Sequence, residues 1–306
     1  MLLAKDKEKK MNQLKYGRAI CYSGYREGQS PITGVYPSYE QIKEDLQILD
    51  RNYDYIRMYD PSEHAQTALE VIKNEKLHLK VILGIDLQGE ISNPQCAWGG
   101  VYSESELARH VENNENNLRE LIRLANLYSD IIVAVSAGNE AVPEWNENLV
   151  SPKRVLYFVK ELKKHTNQLV TYCENNHYWN NLLQEVAQEV DFISLHTYPL
   201  WIGKTIDNAL ETSIEDYEQI ANFYPNKPCI ITEAGWTTQS NGRGILPENA
   251  GIAFQKRYLK EMERWSEENQ VLVFFFEAFD EPWKGTDDPE EPEKHWGIYD
   301  VSRKLK

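Results

Sequence analysis

The chain has 306 residues, 26% of them charged, with 33 Lys and Arg against 48 Asp and Glu for a net charge of −15. That length suits one large domain or two ordinary ones. The acidic balance argues against a nucleic-acid partner, which needs surplus cations, and the absence of an apolar run long enough to span a bilayer argues against a membrane partner.

The N-terminus runs Met1-Leu2-Leu3-Ala4, then Lys5-Asp6-Lys7-Glu8-Lys9-Lys10, without the apolar core of a signal peptide. Residues 1–14 are read as a flexible basic tail and 15–306 as the catalytic domain. A cytoplasmic location is expected as the sequence stands; the alternative is a periplasmic or secreted protein whose leader has been removed. Strand-like runs follow near 17–22, 54–59, 79–85, 131–137, 169–173, 191–196, 229–232 and 271–276. Helical patterns lie between them, at about 39–50, 64–76, 104–128, 152–165, 180–189, 213–223 and 248–267. In 152–164, Val155, Leu156, Val159 and Leu162 recur at helical spacing, and Ser151-Pro152 supplies a cap and a first-turn proline. Every strand but the last precedes a helical stretch. This repetition predicts an α/β chain folded as a single-domain (β/α)8 TIM barrel. A doubly wound sheet would call for Gly-x-Gly-x-x-Gly after an early strand, and the chain lacks it.

Cys21, Cys96, Cys173 and Cys229 form no CxxC pair, so they are read as packing thiols and no metal site is expected. In such barrels chemistry sits at the C-terminal strand ends. Two glutamates stand there: Glu140, closing Ile131 to Asn139, and Glu233, closing Cys229 to Thr232. An unpaired buried charge is costly, so carboxylates at two strand exits point to an acid and a nucleophile for glycoside cleavage. The spacing between them, which separates retaining from inverting chemistry, cannot be read from sequence. Arg57 and Tyr59 share a strand face, and a guanidinium beside Glu233 would keep it ionised. Tyr198 is placed to donate to the nucleophile, and Asn139 to bond a sugar hydroxyl. His196 either joins Tyr198 or, on the favoured reading, satisfies a backbone group in the core. Seven of eight tryptophans follow strands (Trp98, Trp145, Trp179, Trp201, Trp236, Trp283 and Trp296), and about half are expected to meet sugar. The acidic run 287–293 is read mainly as a solvated turn.

These motifs together resemble glycoside hydrolase family 17, the β-1,3-glucanases and their relatives, over residues 16–300. The likeness rests on Ile56-Arg57-Met58-Tyr59-Asp60-Pro61, Ala137-Gly138-Asn139-Glu140, Thr232-Glu233-Ala234-Gly235-Trp236, Phe276-Glu277-Ala278-Phe279-Asp280-Glu281-Pro282-Trp283-Lys284 and His295-Trp296-Gly297. The resemblance implies retention of configuration, with Glu140 as acid/base and Glu233 as nucleophile. It implies that Tyr59, Asn139, Tyr198, Trp236, Glu281 and Lys284 line the cleft or support the pair, with Glu293 joining Glu281 and Lys284. Arg57, Glu277 and Trp296 complete the expected set. Many members have Gly-Trp-Pro where this chain has Gly235-Trp236-Thr237, which alters the loop but removes no catalytic group. The expected activity is retaining cleavage of β-1,3-glucan or its oligosaccharides by a monomer without cofactor. A β-1,3-glucanosyltransferase is the alternative, and an inactive sugar-binding barrel is a remote one.

Overall fold

The computed structural model describes residues 14–97 and 99–306. The predicted Trp98 and all but the last residue of the predicted tail lie outside that range. Leu14 is buried within the barrel's inner cluster, so the ordered domain includes it.

Eight strands form a closed parallel barrel: β1 (Ala19–Cys21), β2 (Tyr55–Met58), β3 (Lys80–Gly84), β4 (Ile132–Asn139), β5 (Leu169–Asn175), β6 (Ile193–Thr197), β7 (Cys229–Gly235) and β8 (Val273–Phe276). The last strand returns to pair with the first. Side chains alternate along each strand. Ala19, Tyr55, Ile82, Ala134, Leu169, Phe192, Ile230 and Phe274 fill the interior. Ile20, Ile56, Val81, Val135, Val170, Ile193 and Ile231 face the helices. Strands buried on both faces read as continuous apolar runs, which is why they were visible in sequence.

The helices are α1 (Tyr39–Leu49), α2 (Glu63–Glu75), α3 (Glu104–Leu127), α4 (Pro152–His165), α5 (Asn176–Trp179), α6 (Gln184–Glu189), α7 (Ile206–Phe223) and α8 (Ile252–Asn269). Ser38 and Ser103 start α1 and α3 with reciprocal capping boxes, and Ser151 caps α4 ahead of Pro152. α4 buries Val155, Phe158, Val159 and Leu162 on one stripe, each contributing about 1.5–3 kcal/mol.

Two helical expectations change. The predicted 180–189 helix is shortened to α6 (Gln184–Glu189), because the one-turn helix α5, capped by Asn175, precedes it and the chain turns at 180–183. The predicted 213–223 helix begins at Ile206, because Ile206, Ala209 and Thr212 extend its buried stripe. After β8 a 3-10 turn (Pro292–Lys294) leads to a C-terminal segment in which Tyr299 bridges Leu305. Buried Arg303 pairs there with buried Asp45 at 2.7 Å, tying this C-terminal segment to α1.

Candidate active site

Simple alternation does not explain how both glutamates reach the barrel mouth. In β7, Ile230 faces in and Ile231 faces out, so residue 233 would follow 231 outward. The register of β7 slips between Ile231 and Ala234 against β8, and between Leu195 and His196 against β6. This irregularity turns Glu233 inward. In β4 the register against β5 slips between Ser136 and Asn139. Gly138 takes φ +155° and Glu140 takes φ +43°. A Cβ on Gly138 would meet the Tyr172 ring at 2.8 Å and Leu87 at 2.9 Å, so only glycine fits there. Tyr172 holds the same turn, accepting a hydrogen bond from the Ala141 amide at 2.8 Å and donating to buried Glu174 at 2.9 Å.

Glu233 is almost fully buried. Arg57 Nη1 donates to its Oε1, Tyr59 donates to the same oxygen at 2.9 Å, and Tyr198 donates to Oε2 at 2.5 Å. Arg57 Nη2 also donates to Asn139 Oδ1 at 2.5 Å, so one guanidinium ties β2 to both catalytic strands. Burial alone would raise the Glu233 carboxyl. The charges of His196 and Arg57 and the Tyr198 hydrogen bond outweigh it and hold the carboxyl at about 2. The group is therefore a carboxylate at any ordinary pH, as a nucleophile requires.

His196 corrects the favoured sequence reading. It is fully buried, yet its Nδ1 lies 2.8 Å from Glu140 Oε1 and 3.6 Å from Glu233 Oε2. Burial would lower its pKa, but Glu233, Cys173 and Glu140 reverse that and raise it to about 10. The imidazolium thus donates to Glu140. One oxygen of each glutamate and a ring nitrogen of His196 all lie within 4.8 Å of one another. Among the described residues this is the one acidic and imidazole grouping tight enough to ligate a metal ion. The Arg57 guanidinium and the His196 ring already face this grouping with positive charge, which works against a further cation. Cys173, read as a packing thiol, is buried beneath the pair, with Ser136 Oγ 3.3 Å from its sulfur. The charge of Arg57 and a hydrogen bond with His196 overcome the burial that would raise its thiol and bring it to about 7.

A cleft of about 1030 Å³ opens over the pair. Tyr59, Asn139, Tyr198, Glu281, Lys284, Glu293 and Trp296 line it with the two glutamates. Lys284 is clamped by Glu277 at 2.8 Å and Glu281 at 2.6 Å. Burial favours its neutral form, but these two carboxylates outweigh that and keep it charged. Glu277 is wholly buried behind the wall and acts through Lys284, while Glu281 also accepts from Ser23 at 2.5 Å and Trp283 at 3.0 Å.

Trp236 does not line the cleft. It turns behind the strand, packs on Tyr258 of α8 and donates to the Asn249 carbonyl at 2.9 Å. Trp179 is likewise internal, whereas Trp145, Trp201, Trp283 and Trp296 reach the cleft. The acidic run is not wholly a solvated turn. Glu291 is 1% exposed, accepts from Thr286 at 3.0 Å and pairs with Arg243 at 3.0 Å, stapling the loops after β7 and β8. Ser23, His64, Asp86 and Glu147 also line the cleft and escaped the sequence reading. Asp86 lies two residues past the end of buried β3, a signal that could have found it.

A closed parallel barrel with two carboxylates facing each other at its C-terminal mouth defines a glycoside hydrolase architecture. The chain belongs to the BtgE/BtgC glycoside hydrolase domain family, whose model matches residues 19–297. It is 29% identical over 197 residues to a glucan 1,3-beta-glucosidase of Arthroderma benhamiae, covering 58% of this chain and 61% of that protein. The chain therefore spans less than two thirds of the length of the curated relatives it matches. An endo-laminarinase from Formosa Hel1_33_131 superposes with a TM-score of 0.78 at 25% identity, covering 93% of this chain and 83% of that one. A glycoside hydrolase family 17 beta-1,3-glucanosyltransferase from Rhizomucor miehei gives 0.72 at 20% identity, covering 96% of each. The likeness to family 17 read from the sequence is borne out.

Proposed function

We propose that the chain cleaves β-1,3-linked glucan or its oligosaccharides with retention of configuration. The observation that carries this is the Glu140, His196 and Glu233 cluster at the floor of one cleft, in which one carboxyl oxygen of each glutamate lies within 4.8 Å of the other. Retaining enzymes place their carboxyl groups about 5–5.5 Å apart, and inverting ones leave roughly 6.5–9.5 Å for a water. The matched relatives are named for β-1,3-glucan, which supports that substrate.

In the first step Glu233 attacks the anomeric carbon as Glu140 passes its proton to the departing glycosidic oxygen. The C–O bond to the leaving sugar breaks and an ester to Glu233 forms. In the second step Glu140 takes a proton from water, the hydroxide attacks the same carbon, and Glu233 leaves as a carboxylate. His196 donates to one oxygen of Glu140, leaving the other for the glycosidic oxygen. Arg57, Tyr59 and Tyr198 hold Glu233 in line for attack. Incubation with laminarin should release reducing ends, and Glu233→Gln should abolish the release. Undiminished activity in Glu233→Gln would defeat the nucleophile assignment.

Transfer to a second sugar uses the same ester. Trp145 and Trp201, 45% and 37% exposed on the cleft wall in loops after β4 and β6, favour this reading by offering indole faces to an acceptor. Mass analysis of products would show chains longer than the substrate.

A further inference from the structure

One sector of the cleft wall is acidic and has no part in the steps above. Asp60 follows β2, Asp86 follows β3, and Glu147 lies in the loop after β4. Asp86 is exposed to the cleft, and no hydrogen bond or ion pair engages its carboxylate among the described residues. The charged groups that bear on it are both acidic: Asp60 and Glu147. Asp60 itself accepts the Ser62 amide at 2.9 Å.

A second observation points to a ligand on this wall. His64 is 5% exposed, lines the cleft between Tyr22 and Tyr25, and its Nε2 has no partner. Burial, opposed by Asp60 and Glu281, lowers it to about 4, so it is a neutral imidazole at ordinary pH. A neutral ring suits a hydroxyl group and gives no charge to a ligand carboxylate. Lys284 is already held by Glu277 and Glu281, and Arg243 by Glu291.

We infer that Asp86, with Asp60 and His64, makes this sector a binding site for the hydroxyls of uncharged sugars and excludes sugars bearing a carboxylate. The inference rests on the proposed glucan substrate and adds a specificity residue to it. A carboxylate accepts hydroxyl hydrogen bonds strongly, whereas like charges brought together in a cleft oppose binding. Although its side chain is open to the cleft, the protein walls around it, then the charges of Asp60 and Glu147, raise the Asp86 carboxyl to about 7. It gains charge as pH rises through that value, so discrimination should grow with pH.

The test is a binding measurement by calorimetry on the Glu140→Gln protein, which should not turn substrate over. Three probes are compared: neutral laminari-oligosaccharides, the same oligomers oxidised at C6 to carboxylates, and the methyl esters of the oxidised form. Neutral oligomers and esters should bind about tenfold more tightly than the carboxylates at pH 8, with a smaller ratio at pH 6. Adding Asp86→Asn should remove most of the pH dependence of that ratio. Equal affinity for neutral and carboxylate forms would overturn the inference. So would rejection of the esters, which would mark a size limit, or a pH dependence that survives Asp86→Asn. Wild-type cleavage of the neutral oligomers is scored separately: its absence would count against the proposed hydrolysis while leaving the binding ratios readable.

Discussion

The different roles we propose for Glu140 and Glu233 follow from their different partners. Glu233 accepts from Arg57, Tyr59 and Tyr198, whereas the hydrogen bond that reaches the Glu140 side chain comes from His196. Glu140→Gln should lower kcat on laminarin about 10²–10⁴-fold. It should lower it far less on an aryl glycoside whose leaving group needs no proton; comparing the two substrates checks the acid role. The same contacts link activity to stability. The Glu233 carboxyl falls from 4.5 to about 2 on folding, so its stabilisation is present above pH 4.5 and lost as pH drops toward 2. His196 rises from 6.5 to about 10, so its contribution is full below pH 6.5 and lost as pH climbs toward 10. Thermal melts across pH should show both declines, and His196→Gln should remove much of the alkaline one.

At the scale of elements, the strand irregularities aim the chemistry. Gly138→Ala should cost roughly 1–3 kcal/mol of stability through its strained φ. Its larger effect should be on kcat, because Glu140 rides on that turn; denaturant melts and kinetics on one preparation would separate the two. Glu291→Gln should loosen the staple to Arg243 and raise KM more than it lowers kcat. Much of this level was legible in sequence. The strands announced themselves because both of their faces are buried, and α4 because its cap and stripe agree. The slips in β4 and β7 were not legible, since they arise from pairing with neighbouring strands. Nor was the outward turn of Trp236, which depends on Tyr258 and Asn249, distant in sequence. The role of His196 was not legible because its partners Glu140, Cys173 and Glu233 come from three other strands or strand ends.

For the whole molecule, the closed barrel brings β4, β6 and β7 to one mouth and sets the charge pattern of the cleft. The net charge of −15 should matter little for a neutral polymer. KM for laminarin should change less than about twofold between low and moderate salt, because no ion pair forms with substrate. The family motifs carried the two glutamates and the Lys284 clamp, whereas His64, in the first turn of α2, emerged only once the barrel set that helix against the cleft. The most direct measurement combines trapping and stereochemistry. A 2-fluoro laminaribiosyl fluoride should leave a glycosyl ester on the peptide containing Glu233, and fresh laminarin products should first appear as the β-anomer. Labelling at another residue, or initial release of the α-anomer, would contradict a double displacement through Glu233.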